Sequence, residues 1–228
     1  MYMPAIGDST VSPMIRLILA VMSTIAIMPS IEQNIPVIKS IDGGAVLLLG
    51  QELMIGLCIA LMSRIFLSAI HVAGMTIGSM LGLSIAMLFD PSQQSQSNTV
   101  GSFLSLTITM LLLANNVHML FIQAIANSYH TIHFADIGQY GSLMEGIAQS
   151  VGKMWLIGIQ MSAPFILVNI VLMFGSGVLA KLMPQLQIFF IMVPVQILLG
   201  ILVLLVSLSG ISSWFIGQYL EFLKHILG

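Results

Sequence analysis

Charged side chains are scarce in this sequence, and their scarcity excludes most kinds of soluble protein. Asp, Glu, Lys and Arg make up 6% of the 228 residues, whereas soluble domains carry about 25%. Six basic and eight acidic groups are too few to give a folded chain of this size a hydrated surface. The formal net charge of −2 leaves no basic patch for nucleic acid. With 58% hydrophobic residues and a mean hydropathy of +1.07, the chain is predicted to be an integral membrane protein.

Cysteine and the usual catalytic motifs are equally sparse. Cys58 is the only cysteine, which excludes an intrachain disulfide, and its apolar neighbours indicate a buried hydrophobic role. His130 and His133 are spaced like metal ligands, but zinc needs three or four ligands and no further one lies at a suitable distance. No nucleophile elbow, phosphate-binding loop or GxGxxG pattern occurs in a suitable context. The sequence therefore predicts a protein that is not an enzyme and that uses no metal or cofactor.

Long apolar runs dominate the rest of the chain. A membrane-spanning helix needs about 20 apolar residues, and six runs approach this length without the alternation of β-barrel strands. We predict helical segments over Leu17–Met28, Gly44–Ile70, Val72–Phe89, Val100–Ala126, Met154–Ala180 and Leu186–Leu208. An amphipathic terminal helix over Ile211–Leu227 is expected at an interface. The chain is thus predicted to be all-α and to form a single unit.

The polar stretches between these segments predict where helices stop. The chain is polar over residues 90–99, and Pro91 disfavours helix in the residue before it, so the preceding segment is expected to end there. Asn115 and Asn116 interrupt an apolar run and are expected to break the helix. The polar stretch Asn127–Lys153 is interpreted as a further connection.

Small residues recur every four positions within the third segment. Gly74, Gly78 and Gly82, continued by Ala86, fall on one face of a helix because four residues make slightly more than one turn. A glycine in a helix interior costs about 1 kcal/mol relative to alanine, so another backbone is expected to approach closely along this row. That backbone belongs either to the same chain or to another subunit of an assembly.

Two charges and many methionines stand out within the apolar runs. Glu52 and Arg64 lie in one segment, 12 residues and about 18 Å apart, so they cannot form an ion pair with each other. Charges inside a membrane are costly and often functional, although each residue could instead mark the end of a segment. The 18 methionines are consistent with a flexible apolar constriction or with compositional bias.

Ordered motifs extend over nearly the whole chain. They include the run Gly50–Gly56, the glycine-containing run Ala73–Ser84, Phe89-Asp90-Pro91, Asn116-Val117-His118, Ser128–Ile132 and Lys181–Phe189. The single motif positions are Glu52, Gly56, His118, Pro164, Gly177, Lys181, Pro184, Gln185 and Pro194. Together these motifs resemble the FliR family of flagellar export-gate proteins, which has virulence relatives in type III secretion.

The resemblance implies a non-enzymatic subunit of the export gate in the bacterial inner membrane, at the flagellar basal body. One copy would assemble with five copies of FliP and about four of FliQ, contact FlhB and have FlhA as a neighbour. The family fold of tilted helical hairpins implies a FliP-like region over residues 1–145 and a FliQ-like region over residues 146–228. Unfolded flagellar proteins would pass through the channel that these subunits close.

The resemblance also implies roles for particular residues. The loop 89–101 corresponds to the family's plug, which helps to close the pore. Its leading residues are Phe89, Asp90, Pro91, Ser92, Gln93 and Gln94. The row of Gly74, Gly78, Gly82 and Ala86 would then form a helix-packing seam between subunits.

Departures from the family pattern leave alternatives open. The family's first transmembrane segment has no counterpart before Pro4, which predicts a late start codon or a shortened member. Val117 stands where the family favours glycine, and Ile132-His133-Phe134 stand where it has a Pro-Gly turn. One alternative function is a virulence secretion gate. Another is a secondary transporter that uses Glu52 or Asp90 for ion coupling, but the internal repeat expected of such a transporter is not found.

Overall fold

The computed structural model describes residues 12–31, 43–82, 99–131, 139–185 and 187–227. Within these ranges the chain is almost entirely α-helical and contains no strand. Long apolar runs favour helices in a membrane because a helix satisfies its own backbone hydrogen bonds. The predicted fold class is confirmed, since the chain is an all-α integral membrane protein.

Seven α-helices lie within the described residues. They are α1 (Pro13–Ile31), α2 (Gly43–Leu67), α3 (Ala69–Met80), α4 (Thr99–Ala114), α5 (Val117–Thr131), α6 (Gln139–Leu182) and α7 (Ile188–Leu227). Only Ser68 separates α2 from α3. With 44 and 40 residues, α6 and α7 are about 66 and 60 Å long, roughly twice the hydrocarbon thickness of a bilayer.

Four stretches of the described residues are long and apolar enough to cross a membrane. They are Pro13–Ile31, Val46–Met80, Met144–Leu182 and Phe190–Lys224. The pair α4 and α5, bent by 71°, makes a fifth if it is one broken span. Six segments are predicted, and at most five stretches are found among the described residues. The difference arises because the second and third predicted segments share the single stretch Val46–Met80.

The predicted helix break at Asn115 and Asn116 is confirmed. Asn116 has a φ of 55°, a left-handed conformation that asparagine tolerates better than most residues. Leu111 O, in the last turn of α4, accepts from both the backbone N–H of Asn115 at 3.0 Å and its side-chain Nδ2 at 2.7 Å. The next helix, α5, begins at Val117 and is bent by 71° relative to α4.

Two observed helix boundaries differ from the predicted segments. α3 ends at Met80, because Gly82 adopts a positive φ that a continuing helix excludes, and the predicted stop near Phe89 lies outside the described residues. α6 begins at Gln139, inside the stretch interpreted as a connection. Packing supports this extension, because a Cβ added to Gly146 would lie 2.8 Å from a methyl group of α2.

One compact unit of the chain consists of Met1–Leu67, Thr109–Lys153 and Ile216–Gly228. Within it α1 contacts α5, and most side chains of α1 are exposed. Cys58 is buried and free in this unit, as its apolar surroundings predict. The unit holds most of the charged side chains among the described residues, including Arg64 and the half-buried Glu52.

The end of α7 packs inside this same unit, which changes the interpretation of the terminal amphipathic helix. Tyr219 is fully buried and shares a hydrogen bond of 2.8 Å with Ser63 of α2. Phe222 stacks on Phe66 with ring centroids 4.4 Å apart. The predicted helix Ile211–Leu227 is therefore a continuation of α7, and its aromatic face is covered by protein.

The other compact unit consists of Ser68–Ile108 and Met154–Phe215. Its core is formed by fully or almost fully buried side chains of α3, α4 and α6. These include Ala69, Ala73, Ile77, Leu104, Ile108, Ile157, Met161 and Phe165. Among its described residues Lys181 is the only Asp, Glu, Lys or Arg, so this unit is built for apolar surroundings.

Candidate functional site at the end of α3

The last turn of α3 leads into a left-handed residue. Leu81 N–H donates to Ile77 O at 2.8 Å, and Gly82 N–H donates to Ser79 O at 3.1 Å. Gly82 then has a φ of 75°, which glycine adopts without steric cost and which turns the chain away from the helix. We call Met80, Leu81 and Gly82 the α3 exit.

Two amide side chains from other helices hold the α3 exit. Gln196 of α7 donates from Nε2 to Met80 O at 2.6 Å and to Asn169 Oδ1 at 3.0 Å. Asn169 of α6 donates from Nδ2 to Met80 Sδ at 3.0 Å. The last carbonyls of a helix lack partners within the helix, so Gln196 supplies one that α3 cannot supply itself. We call Met80, Asn169 and Gln196 the cap cluster.

Apolar side chains surround the cap cluster. A cavity of about 10 Å³ beside it is lined mainly by Leu81, Phe165, Val168, Leu172 and Val203. A volume of this size holds one water at most and is too small for an organic ligand. In such surroundings a hydrogen bond is electrostatically stronger, and an unpaired polar group costs more, than at a hydrated surface.

Glycine allows α7 to approach the α3 exit closely. A Cβ added to Gly200 would overlap Leu81 Cδ2 and would lie 3.8 Å from Leu81 Cα. A Cβ added to Gly82 would lie 3.2 Å from Gln196 Oε1. α7 therefore holds the α3 exit in two ways, through the steric fit at Gly200 and through the hydrogen bond from Gln196.

The first turn of α4 touches α3 through a second pair of glycines. A Cβ added to Gly74 would overlap Gly101 Cα and would lie 2.6 Å from Gly101 N, so the two backbones are in direct contact. Gly78, one turn further along α3, is also buried. At Gly74 the glycine row thus packs within this chain, and Gly82 does not continue the row because it follows the end of the helix.

The predicted plug residues Phe89 to Gln94, and Ala86 of the seam, lie outside the described residues. The structure describes the residues that flank segment 83–98, namely Gly82 of the α3 exit and Thr99 at the start of α4. Residues 99–101, predicted as the end of the plug loop, belong to α4 because Gly101 packs on α3.

The motif positions in the first compact unit lie on α2 and α5. Glu52 is half-buried on α2, whereas Gly56, one turn later, is exposed with open space beside it. His118 lies in the first turn of α5, and its Nδ1 is buried without a hydrogen-bond partner among the described residues. No group of three metal-binding side chains comes together in the part of the chain that the structure describes.

The remaining motif positions lie on or between α6 and α7. Pro164 is half-buried within α6. The others are exposed, namely Gly177, Lys181, Pro184, Gln185 and Pro194. Pro194 stands two positions before Gln196 on α7, which makes it the motif position nearest in sequence to an amide of the cap cluster.

Sequence reasoning missed Asn169 and Gln196, although a signal for them exists. Gln196 carries the only amide, hydroxyl or charge between Ile188 and Val206. Asn169 is equally alone within residues 163–175. A single amide in an apolar run costs free energy unless it is hydrogen-bonded, so each of them predicts a polar partner on another helix.

Comparison with known proteins identifies the family. The family model described as bacterial export proteins, family 1, matches residues 1–222 of this chain. Flagellar biosynthetic protein FliR of Caulobacter vibrioides is 33% identical over 223 residues, covering 98% of this chain and 89% of its own. FliR of Bacillus subtilis is 31% identical, covering 83% and 71%, and FliR of Escherichia coli is 27% identical, covering 87% and 75%. The resemblance seen in the motifs is confirmed, and the chain belongs to the family of bacterial export proteins that includes these FliR proteins.

Proposed function

We propose that this chain is a subunit of the flagellar type III protein export gate in the bacterial inner membrane, at the flagellar basal body. In this proposal it assembles with FliP and FliQ into a closed channel, contacts FlhB and has FlhA as a neighbour. Unfolded flagellar proteins pass through the channel when it opens, so the chain is required for flagellum assembly. The subunit itself catalyses no reaction. The names of the flagellar relatives support this role.

The observation that carries the proposal is the packing of the residues on either side of segment 83–98. On one side the α3 exit is held by the cap cluster. On the other side Thr99 begins α4, two residues before the Gly101 backbone that touches Gly74. The polar residues 90–98, which lie in the sequence between these two packed points, are the part of the chain that we propose as the plug.

Exposed apolar surfaces support a place within an assembly. Leu167 and Phe174 of α6, and Leu205 and Val206 of α7, are between 66% and 85% exposed in the single chain. Gly177 on α6 is exposed with no atom near its missing Cβ, and such small residues allow a second helix to pack closely. We infer that neighbouring subunits cover part of this surface and that lipid covers the rest.

The division into a FliP-like and a FliQ-like region is part of the proposal. The antiparallel pairing implied by a FliQ-like hairpin suits α6 and α7, which are joined by only a few residues. The sequence boundary at 145/146 falls inside α6, which begins at Gln139. We therefore propose that the hairpin region includes the whole of α6.

Deletion of part of the segment tests the plug directly. Removing Ser92 to Asn98 is expected to make cells leak ions or small molecules through the assembled gate, because the shortened segment cannot fill the channel. Replacing the exposed Gln149 of α6 by alanine is the matched control and should leave permeability unchanged. Unchanged permeability together with intact export in the deletion strain would count against a plug.

The alternative functions make different predictions. A virulence gate would restore secretion, but not motility, when the chain is supplied to strains lacking each kind of gate subunit; the flagellar proposal predicts restored motility. A secondary transporter would take up a solute into vesicles that contain the purified chain alone, whereas the gate proposal predicts no uptake without FliP and FliQ.

A further inference from the structure

We propose that a polar surface formed by α3 and α4 lines the water-filled lumen of the export gate. We call this surface the α3–α4 face and define it by His71, Met75 and Ser79 of α3 with Ser102 and Ser105 of α4. The inference rests on the proposed function, because it names the surface along which an unfolded polypeptide would travel. None of these side chains is one of the single motif positions.

α3 has one buried side and one exposed side. Ala73 and Ile77 are completely buried in the core of their compact unit. His71, Met75 and Ser79 recur every four residues and are exposed, so they lie together on the opposite side of the helix. α3 therefore separates the apolar core of the unit from surroundings that accept an imidazole and a hydroxyl group.

The first turns of α4 are divided in the same way. Leu104 and Ile108 are completely buried. Ser102 is exposed, and Ser105, three positions later, is half-buried. Residues three apart lie on the same side of a helix, so α4 presents two hydroxyl groups on a different side from its buried row.

The contact between α3 and α4 places their polar sides next to each other. The backbones meet at Gly74 and Gly101, and on each helix these glycines lie between the buried side and the exposed side. The buried sides of both helices share one core, so their exposed sides face the same way. The polar groups of α3 and α4 therefore form a single surface.

α7 shows how the rest of this compact unit differs from the α3–α4 face. Every exposed residue between Ile191 and Val206 is apolar. On α6, Leu167 and Phe174 are likewise exposed. Lipid tails are as apolar as these side chains and can cover them without cost. The α3–α4 face offers lipid no such match.

His71 is the member of the face that lipid suits least. Ser79 donates its hydroxyl proton to Thr76 O at 2.7 Å, so its own helix satisfies it. The imidazole of His71 makes no hydrogen bond within the described residues, although it lies on the stretch Val46–Met80, which is long enough to cross a membrane. Ionisable side chains in such stretches face a bundle interior or a water-filled cavity. The core lies on the other side of α3, so water is the occupant of this face.

The chemistry of the face suits an unfolded polypeptide of any sequence. Hydroxyl and imidazole groups both donate and accept hydrogen bonds, so they can serve water or the backbone of a passing chain. Met75 is 63% exposed, and its flexible side chain adapts to apolar groups of different shapes. The face carries no Asp, Glu, Lys or Arg that would retain a chain of opposite charge.

Cysteine accessibility in the complex with FliP and FliQ tests the face. Met75→Cys and Ser102→Cys, each combined with Cys58→Ala, are treated in vesicles with a charged thiosulfonate reagent on both sides of the membrane. Both are expected to react at least about tenfold faster than Val206→Cys, because the thiolate is the reactive form and a thiol in lipid ionises poorly. Val206, which is 85% exposed on α7, provides the matched control.

Other surroundings of the face would give different results. Under lipid, Met75→Cys would react with an apolar maleimide and not with the charged reagent. Under a neighbouring subunit it would react with neither. Either result, with normal co-purification of FliP and FliQ, would overturn the proposal. Ser79→Cys changes a single atom of an exposed side chain, so it keeps the test decisive if Met75→Cys disturbs assembly.

Cross-linking of a stalled export substrate tests whether a polypeptide follows the face. The substrate is fused to a domain that does not unfold, and single cysteines are placed along its trapped segment. Oxidation is expected to join it to Met75→Cys and Ser102→Cys and not to Val206→Cys. Absence of cross-links at residues 75 and 102 would contradict the proposal.

Export by the same strains separates failure of this inference from failure of the proposed function. Normal export by a strain that lacks the chain would refute the gate, and the lumen would fall with it. Export that depends on the chain, together with thiols at residues 75 and 102 that the charged reagent does not reach, would refute the α3–α4 face and leave the gate standing.

Discussion

At the scale of single residues, glycines near the α3 exit serve three different purposes. Gly74 brings the backbone of α4 into contact with α3, Gly82 provides a left-handed turn, and Gly200 makes room for Leu81. Gly56, by contrast, has open space beside it in this chain. The effect of adding a methyl group should therefore differ sharply from one glycine to another.

Gly74→Ala is expected to destabilise the chain by about 1–3 kcal/mol, because the new methyl group overlaps Gly101 and forces α3 and α4 apart. Thermal unfolding of the purified gate in detergent would measure the loss as a lower melting temperature. Gly56→Ala is the control, and it should be neutral or slightly stabilising because alanine favours helix. Equal melting temperatures for the two variants would refute the close contact at Gly74.

At the scale of single residues, the sequence predicts only part of the site. The four-residue spacing correctly indicates close backbone approach at Gly74, but Gly82 keeps that spacing and lies beyond the helix. Periodicity alone cannot tell a glycine that continues a packed row from one that ends the helix. Asn169 and Gln196 are 27 positions apart on different helices, so no local pattern pairs them with each other or with Met80.

At the scale of helices, α6 and α7 are longer than the apolar runs from which they are predicted. α6 begins within a polar stretch, and α7 continues past Ser209 and Gly210 into a charged end. Helices extend beyond their apolar parts because packing in the first compact unit stabilises the extensions. The hydrogen bond between Ser63 and Tyr219 is one such contact, and it joins α2 to the end of α7.

Tyr219→Phe tests this connection between helices. The substitution removes the hydrogen bond and leaves Ser63 buried, so the free energy of unfolding should fall by about 1 kcal/mol. Adding Ser63→Ala should recover part of the loss, because no buried hydroxyl then lacks its cross-helix partner. Ser213→Ala, an exposed hydroxyl bonded to Gly210 O of its own helix, is the control. Strictly additive losses in the double variant would show that the two hydroxyl groups are not coupled.

At the scale of the whole molecule, fold class and family follow from the sequence because both rest on features spread along the entire chain. Scarce charge and long apolar runs require helices in a membrane, and ordered motifs from Gly50 to Pro194 carry the family resemblance. The two compact units do not follow from the sequence, because each combines distant stretches of the chain. The uncovered apolar surface of α6 and α7 suits the surroundings of a membrane, and we propose that neighbouring subunits cover part of it.

The central proposal is that this chain helps to close an export channel by means of segment 83–98, which lies in the sequence between the α3 exit and α4. The most direct measurement is the ion conductance of the complex with FliP and FliQ, reconstituted in a planar bilayer. The complex with the intact chain should remain closed, and the complex in which Ser92 to Asn98 are deleted should conduct steadily. A deletion complex as silent as the intact one, or an intact complex that conducts as freely as the deletion, would contradict the claim.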